Sequence, residues 1–366
     1  MSSSLENNNL EAIYESVKEH YSKQQTNEAK ISNSCFLAKK PHNTIQKLLS
    51  LIPEKVNETF FGCGCPIPLG IKDLTVLDLG SGSGRDVFLA AALVGDQGKV
   101  IGIDMTKKQV ELAKSSTLEF VENCKKVNLK VGSIEFHEGL IEELDTLLPS
   151  ESVDLVASNC VINLSPRKEK CLQQVYNVLK YGGEFVFSDI YSDRKIHPIA
   201  LQQLSKLGSC IGTVFYINDF LSVCRKLGFH VREVNRVELA ASSQDLQQML
   251  VGQAKFYSIT YRLFKLKNLE MAEENYGHIV TYKGTLEGYP VIYKFDSELE
   301  FEKNLPVNVS GNVASVLEES EYLHKHFSIL PNNRELHFGE FEIKHKNKDT
   351  NNIEKVVFQV PTCCSK

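Results

Sequence analysis

Apolar and polar positions alternate along this chain with a period that changes from segment to segment. Residues 10–23, opening LEAIYESVKEHY, repeat apolar side chains at helical spacing and predict a first helix. KKPHNTIQKLLSLIPEKV predicts a second, opening after Pro41 and closing before Pro53. FGCGCPIPLG at 61–70 holds too much glycine and proline for regular structure. From residue 75 short apolar runs alternate with longer helical ones. TVLDLG (75–80), KVIGID (99–104), IEFHEG (134–139), VDLVASN (153–159) and GEFVFSD (183–189) predict strands. RDVFLAAALVG, MTKKQVELAKSSTLEFVENCKK and RKEKCLQQVYNVLK predict helices among them. Such an order implies an α/β fold with a mainly parallel, doubly wound sheet covered on both faces.

HVREVN (230–235) and KFYSITYRLFK (255–265) predict closing strands, the latter with clear alternation. Beyond 265 the pattern shortens. KLKNLEMAEENYG reads as a polar linker or short helix, and HIVTYKG, YPVIYKF and FEKNLPVNV as short strands. The chain therefore divides into an N-terminal helical lid with a cysteine loop (1–72), an α/β core (73–265) with an insertion near 190–225, and a small mixed C-terminal domain (266–366).

The run VLDLGSGSGRD (76–86) follows the first strand and opens a helix. Gly80, Gly82 and Gly84 let the backbone turn sharply and let a ligand approach it closely. A dinucleotide fingerprint needs a small residue at 85, where this chain has Arg85. Asp78 lies inside the strand, two positions before the first glycine, where its carboxylate suits the α-ammonium of a methionine moiety. Asp104 ends the second strand at the spacing of an acidic residue that accepts from ribose hydroxyls; the same position also caps a helix starting near Thr106. The loop thus favours S-adenosylmethionine over a dinucleotide. Leu140 and Ile141 after the third strand either cover an adenine ring or pack in the core. Ser81, Arg85, Met105 and Asn159, in the loop or at strand ends, complete the candidate cofactor set.

Composition adds two constraints. A hydrophobic content of 42% and a formal charge of −5 describe a globular chain without the basic stripe that nucleic acid requires. The N-terminus lacks the order of a signal peptide, and FLAAALV is far short of the about 20 residues that span a bilayer. A cytoplasmic protein without nucleic-acid or membrane partners is expected. Ten cysteines are many for such a chain, and in a reducing compartment they suggest ligand or catalytic roles, or simple burial. Cys160 directly follows the fourth strand, on the rim where open α/β sheets bind ligands. Cys210 lies in the glycine-flanked KLGSCIGT, Cys63 in FGCGCPIP beside Cys65, and Cys35 between the N-terminal helical segments. Cys124, Cys171 and Cys224 read as packing residues.

These residues resemble those of the arsenite S-adenosylmethionine methyltransferases. The matching segments are SCFLAKKPH, FGCGCPIP, VLDLGSGSGRD, IGIDMTKKQVELA, SNCVINL, YGGEFVFSDIY, LGSCIGT and TYRLFK, together with the terminal pair Cys363 and Cys364. The resemblance runs from about residue 30 to 265 and is weaker beyond; Cys65 and the looser LGSCIGT depart from the family pattern. It implies a class I Rossmann-like methyltransferase fold and methylation of thiolate-bound trivalent arsenic, a detoxification activity. By the same resemblance Cys160 and Cys210 hold arsenite and methylarsenite through successive methylations. Cys63 supplies a third thiolate and then pairs with Cys35 as reductant, with glutathione or thioredoxin restoring the thiols. Soft arsenic prefers thiolate sulfur, which agrees with the cysteine set on independent grounds. Two other functions fit parts of the pattern: a C- or O-methyltransferase of small molecules, which has no use for the cysteines, and a non-catalytic arsenite-binding protein, which has no use for the glycine loop.

Overall fold

The computed structural model describes residues 11, 13–15, 17–19, 41–60, 62, 65–197, 213–241, 254–342 and 355–358. Residues 11, 13–15 and 17–19 are helical, within the first expected helix. The second expected helix is two short ones, α1 (Asn43–Leu49) and α2 (Glu54–Glu58). His42 caps α1, its Nδ1 accepting from the Thr44 amide at 3.2 Å. Pro53 ends the first segment and stands as N-cap of the second.

The core strands are β1 (Thr75–Leu79), β2 (Lys99–Asp104), β3 (Ser133–Glu138), β4 (Val153–Asn159), β5 (Leu179–Ser192), β6 (Phe215–Tyr216), β7 (Phe229–Ala241), β8 (Phe256–Lys265) and β14 (Lys355–Phe358). They form one sheet in the order β14-β7-β8-β5-β4-β1-β2-β3, with β6 on β5. β1 runs parallel to both β2 and β4, β3 continues beyond β2, and β5 lies beyond β4. β8 is antiparallel to β5 and β7. The winding reverses between β1 and β4, so the crevice for a ligand opens at the carboxyl ends of these two strands.

Helices α3 (Arg85–Val94), α4 (Lys107–Lys126), α5 (Lys168–Val178) and α6 (Ile217–Leu227) cover the sheet. α3 is buried at every residue, which explains its unbroken apolar run. The helix expected to reach 180 stops at Val178, and the strand expected from 183 starts at Leu179. α6 falls where the sequence suggested only an insertion; Phe220 and Cys224, four apart, form its buried stripe.

C-terminal strands β9 (Ile279–Tyr282), β12 (Pro306–Asn308) and β13 (Phe327–Leu330) make a three-stranded antiparallel sheet, and β10 (Ile292–Lys294) pairs with β11 (Glu300–Glu302). FEKNLPVNV is therefore two strands rather than one. It breaks at Asn304, whose φ of 62° is incompatible with a continuous strand. Helix α7 (Gly311–Glu319), not foreseen, starts at Ser310, whose hydroxyl accepts from the Val313 amide.

Candidate active site

β1 delivers the chain into the glycine loop, and the cleft above it is lined by Asp78, Gly80, Ser81, Gly82, Asp86, Asp104, Met105, Gln109, Leu140, Ile141, Asn159 and Cys160, among others. Most of the residues expected at a cofactor are thus brought together. Gly84 and Arg85 are not among the lining residues. The Arg85 guanidinium instead pairs with Asp86 at 3.0 Å and stacks over the Phe60 ring. Asp86, overlooked in the sequence, takes the place on the wall that Arg85 was expected to hold. Its other oxygen accepts from Asn159 Nδ2 at 3.1 Å.

Asp104 accepts from two backbone amides, Gly82 at 2.9 Å and Thr106 at 2.7 Å. It therefore braces the glycine loop and caps the start of α4 at once. Asp78 is buried. Desolvation first, then the charges of Asp86 and Asp104, push its carboxyl well above the usual range, with Arg85 opposing. Burial likewise raises Asp104, against the pull of its backbone donors.

These observations test whether S-adenosylmethionine fits. Three carboxylates converge where an ammonium would relieve them. Ser81 Oγ and Gln109 Oε1 are buried in the cleft wall without a hydrogen-bond partner, and buried polar groups are rarely left so. A ligand with an ammonium, hydroxyls and polar ring edges meets all of these demands. Asp78 and Asp86 would suit its positive end and Asp104 its ribose, and Leu140 and Ile141 offer an apolar surface.

A second wall comes from the N-terminal helical residues, in the segment expected to form a lid, though the sequence did not single out Tyr14. Tyr14 OH donates to Glu142 at 2.8 Å, and Ser165 Oγ donates to the same carboxylate oxygen. Burial and the Glu142 hydrogen bond push the Tyr14 phenol up to about 12, so it stays a neutral donor.

Cys160 stands at the rim with 6% of its surface exposed. Its φ is 59°, a left-handed conformation unusual for a side chain with a Cβ. Its amide donates to the Ser188 carbonyl at 2.9 Å, tying it to the end of β5. Its two neighbours are pressed onto glycines. A Cβ on Gly80, whose φ is 66°, would lie 2.4 Å from Val161 Cγ2. A Cβ on Gly62 would lie 2.7 Å from Asn159 Nδ2. The cofactor loop and the start of the cysteine loop therefore both close onto the Cys160 turn. Cys160 is also half of a disulfide whose other half is not among the described residues. Cys35, Cys63, Cys210, Cys363 and Cys364 lie outside the described residues, as does the expected pairing of Cys35 with Cys63.

The switch-point cleft, the glycine loop and the carboxylates that await an ammonium define a methyltransferase of the S-adenosylmethionine-dependent class. Comparison with known proteins agrees. A methyltransferase-domain profile matches residues 71–251, and a profile of the arsenite methyltransferase C-terminal domain matches 275–365. The chain is 37% identical to the arsenite methyltransferase of Aquipseudomonas alcaligenes, over 90% of this chain and 94% of that one. It is 36% identical to that of Mus musculus, over 85% and 82%. The crystal structure of an arsenic (III) S-adenosylmethionine methyltransferase from Chlamydomonas reinhardtii superposes with a TM-score of 0.78 and 42% identity, covering 83% of this chain and all 100% of that one. The chain belongs to the arsenite methyltransferase family.

Proposed function

We propose that this chain methylates arsenite and methylarsenite held by thiolates at the carboxyl end of β4, with Cys160 at the centre and Cys210 and Cys63 as its partners. The observation that carries this reading is the position of Cys160. It lies in the wall of the cofactor cleft, between two residues that pack against the glycine loop and the cysteine loop.

S-adenosylmethionine, when bound, supplies an electrophilic methyl on a sulfonium that leaves as a neutral thioether. The residues of the chain do the rest. Asp78, Asp86 and Asp104 orient the donor, and Cys160 with its partner thiolates holds arsenic with its lone pair directed away from the sulfurs. Fixing both partners replaces a bimolecular encounter by an intramolecular one. No general base is required, because the attacking lone pair carries no proton. The new bond between arsenic and carbon uses that lone pair, which oxidises arsenic by two electrons. Two thiolates, assigned to Cys35 and Cys63, return those electrons and become a disulfide.

An external thiol reductant, glutathione or thioredoxin, then restores the pair with two electrons and two protons. The disulfide at Cys160 imposes the same requirement, since only a reduced Cys160 can ligate arsenic. A reducing, cytoplasmic setting and a detoxification role fit this need. Among the described residues no helix is long and apolar enough to cross a membrane.

The test is incubation of purified protein with arsenite, S-adenosylmethionine and glutathione, with arsenic species separated by chromatography and detected elementally. Methylated arsenic is expected from the native chain and none from Cys160→Ser. Undiminished methylation by Cys160→Ser would overturn the assignment.

A further inference from the structure

Cys160 holds a left-handed backbone conformation that is strained for a residue with a Cβ. Such strain persists only where the surroundings over-determine it. The turn after Cys160 shows how this is done. Asn163, 1% exposed, sits in the short 3-10 turn Ile162–Leu164. Its amide donates to Asp189 Oδ2 at 3.0 Å, and its Nδ2 donates to Asp189 Oδ1 at 2.7 Å and to the Ile190 carbonyl at 2.6 Å. Asp189, also 1% exposed, lies on β5 next to Ser188, the residue that accepts from the Cys160 amide.

The backbone carbonyl of Asn163 accepts from Thr213 Oγ1 at 2.6 Å. Thr213 lies just ahead of β6, fifty residues along the chain, and three residues after Cys210 in sequence. The Asn163 backbone and its Nδ2 therefore hold the Cys160 turn against β5 on one side and against the residue that leads into β6 on the other.

We infer that Thr213 and Asn163 are positioning residues for arsenic. Together they lock the Cys160 turn in its left-handed conformation and tie it to the start of β6. The inference deepens the reading that Cys160 and Cys210 hold the arsenical, and it rests on that reading. Preorganised ligands spare the entropy of gathering them around the arsenic atom. The Thr213 hydroxyl is the accessible link in this bracket, because Asn163 and Asp189 are buried and their replacement disturbs the core. Burial pushes the Asp189 carboxyl up to about 6, while its donors and Lys168 pull it back, which leaves it ionised at neutral pH and able to accept both Asn163 bonds.

Thr213→Val removes the hydroxyl and keeps the shape; Thr213→Ser keeps the hydroxyl. Both variants and Cys160→Ser, in the full chain reduced with a phosphine, are titrated with arsenite, and retained arsenic is measured after gel filtration. S-adenosylmethionine affinity is measured by calorimetry, and KM and kcat for arsenite are measured beside it. Thr213→Val is expected to retain arsenite about tenfold more weakly and to raise KM by a similar factor, about one bracket hydrogen bond's worth. Cofactor affinity stays unchanged, and Thr213→Ser matches the native chain. Native arsenite retention by Thr213→Val, while Cys160→Ser loses it, would overturn the bracket and leave the ligand assignment standing. Equal loss of cofactor and arsenite affinity in Thr213→Val would also overturn it, by reducing Thr213 to a general structural role. Native retention by Cys160→Ser would instead strike the reading on which the bracket rests.

Discussion

Cys124 on α4, Cys171 on α5 and Cys224 on α6 are fully buried, and desolvation holds their thiols protonated. Cys124 is pushed up to about 11 and Cys171 to about 12, with Cys224 raised as well. They are packing residues, as expected of free cysteines away from the strand rim. Cys65 posed a harder question, because it stands two residues from Cys63 and sequence alone cannot tell the two thiols apart. Its environment separates it from a ligand. Burial and then the Asp86 charge push its thiol up to about 12, and its side chain packs against the main hydrophobic cluster. A thiol so poorly ionised is a weak nucleophile and a weak ligand. Cys65→Ser should therefore keep arsenite methylation within about twofold of the native rate, in the same chromatographic assay in which Cys160→Ser loses it. A loss as deep as that of Cys160→Ser would show that Cys65 reaches arsenic after all.

Among elements, the glycine loop was legible because its chemistry is local: three glycines after a strand dictate a tight turn whatever surrounds them. Which side chains of that loop face the ligand was not local. Arg85 and Asp86 are adjacent on α3, and the Phe60 ring and Asn159, far away in sequence, help decide that Asp86 takes the wall. Helices α6 and α7 escaped notice for a related reason. Their apolar faces are short, and the partners that bury them are assembled by distant strands. Gly80 shows how tightly the loop is tied to the cysteine turn. Gly80→Ala would carry a left-handed φ of 66° and set its methyl 2.4 Å from Cγ2 of Val161. Val161 is β-branched and stiff, so the clash passes to Cys160 beside it. The strain alone is about 1–2 kcal/mol, before any clash. We expect a lower melting temperature by several degrees and cofactor affinity at least about tenfold weaker by calorimetry. A variant with native affinity for S-adenosylmethionine would show that the loop tolerates a shift of the Val161 side chain.

At the scale of the whole molecule, a buried ion pair inside the methyltransferase sheet gathers groups of the C-terminal unit around it. Arg262 on β8 meets Glu184 on β5 with two parallel bonds, Nε to Oε1 at 2.6 Å and an outer nitrogen to Oε2 at 2.8 Å. Tyr322 donates to the same carboxylate at 2.7 Å, and the Arg262 guanidinium also donates to Tyr293 OH and to the Phe295 carbonyl, both at 2.9 Å. Both charges are almost wholly buried, so each is costly without the other. The charge of Glu184 and its hydrogen bonds, with Tyr293 and Tyr322, hold Arg262 ionised against burial. Tyr322, Tyr293 and Phe295 all belong to the segment beyond 265. The arginine in TYRLFK and the glutamate in YGGEFVFSDIY stand out in the sequence only as parts of motifs; their pairing appears once β5 and β8 lie side by side. Arg262→Met leaves a carboxylate buried with no cation and should destabilise the fold by about 3–5 kcal/mol. Glu184→Gln combined with Arg262→Met removes both charges and should recover much of that loss, so the two effects are far from additive. Chemical denaturation of the native chain, both single variants and the double variant measures the coupling. Strict additivity would mean that the two charges do not stabilise each other and that each is satisfied by its other hydrogen bonds.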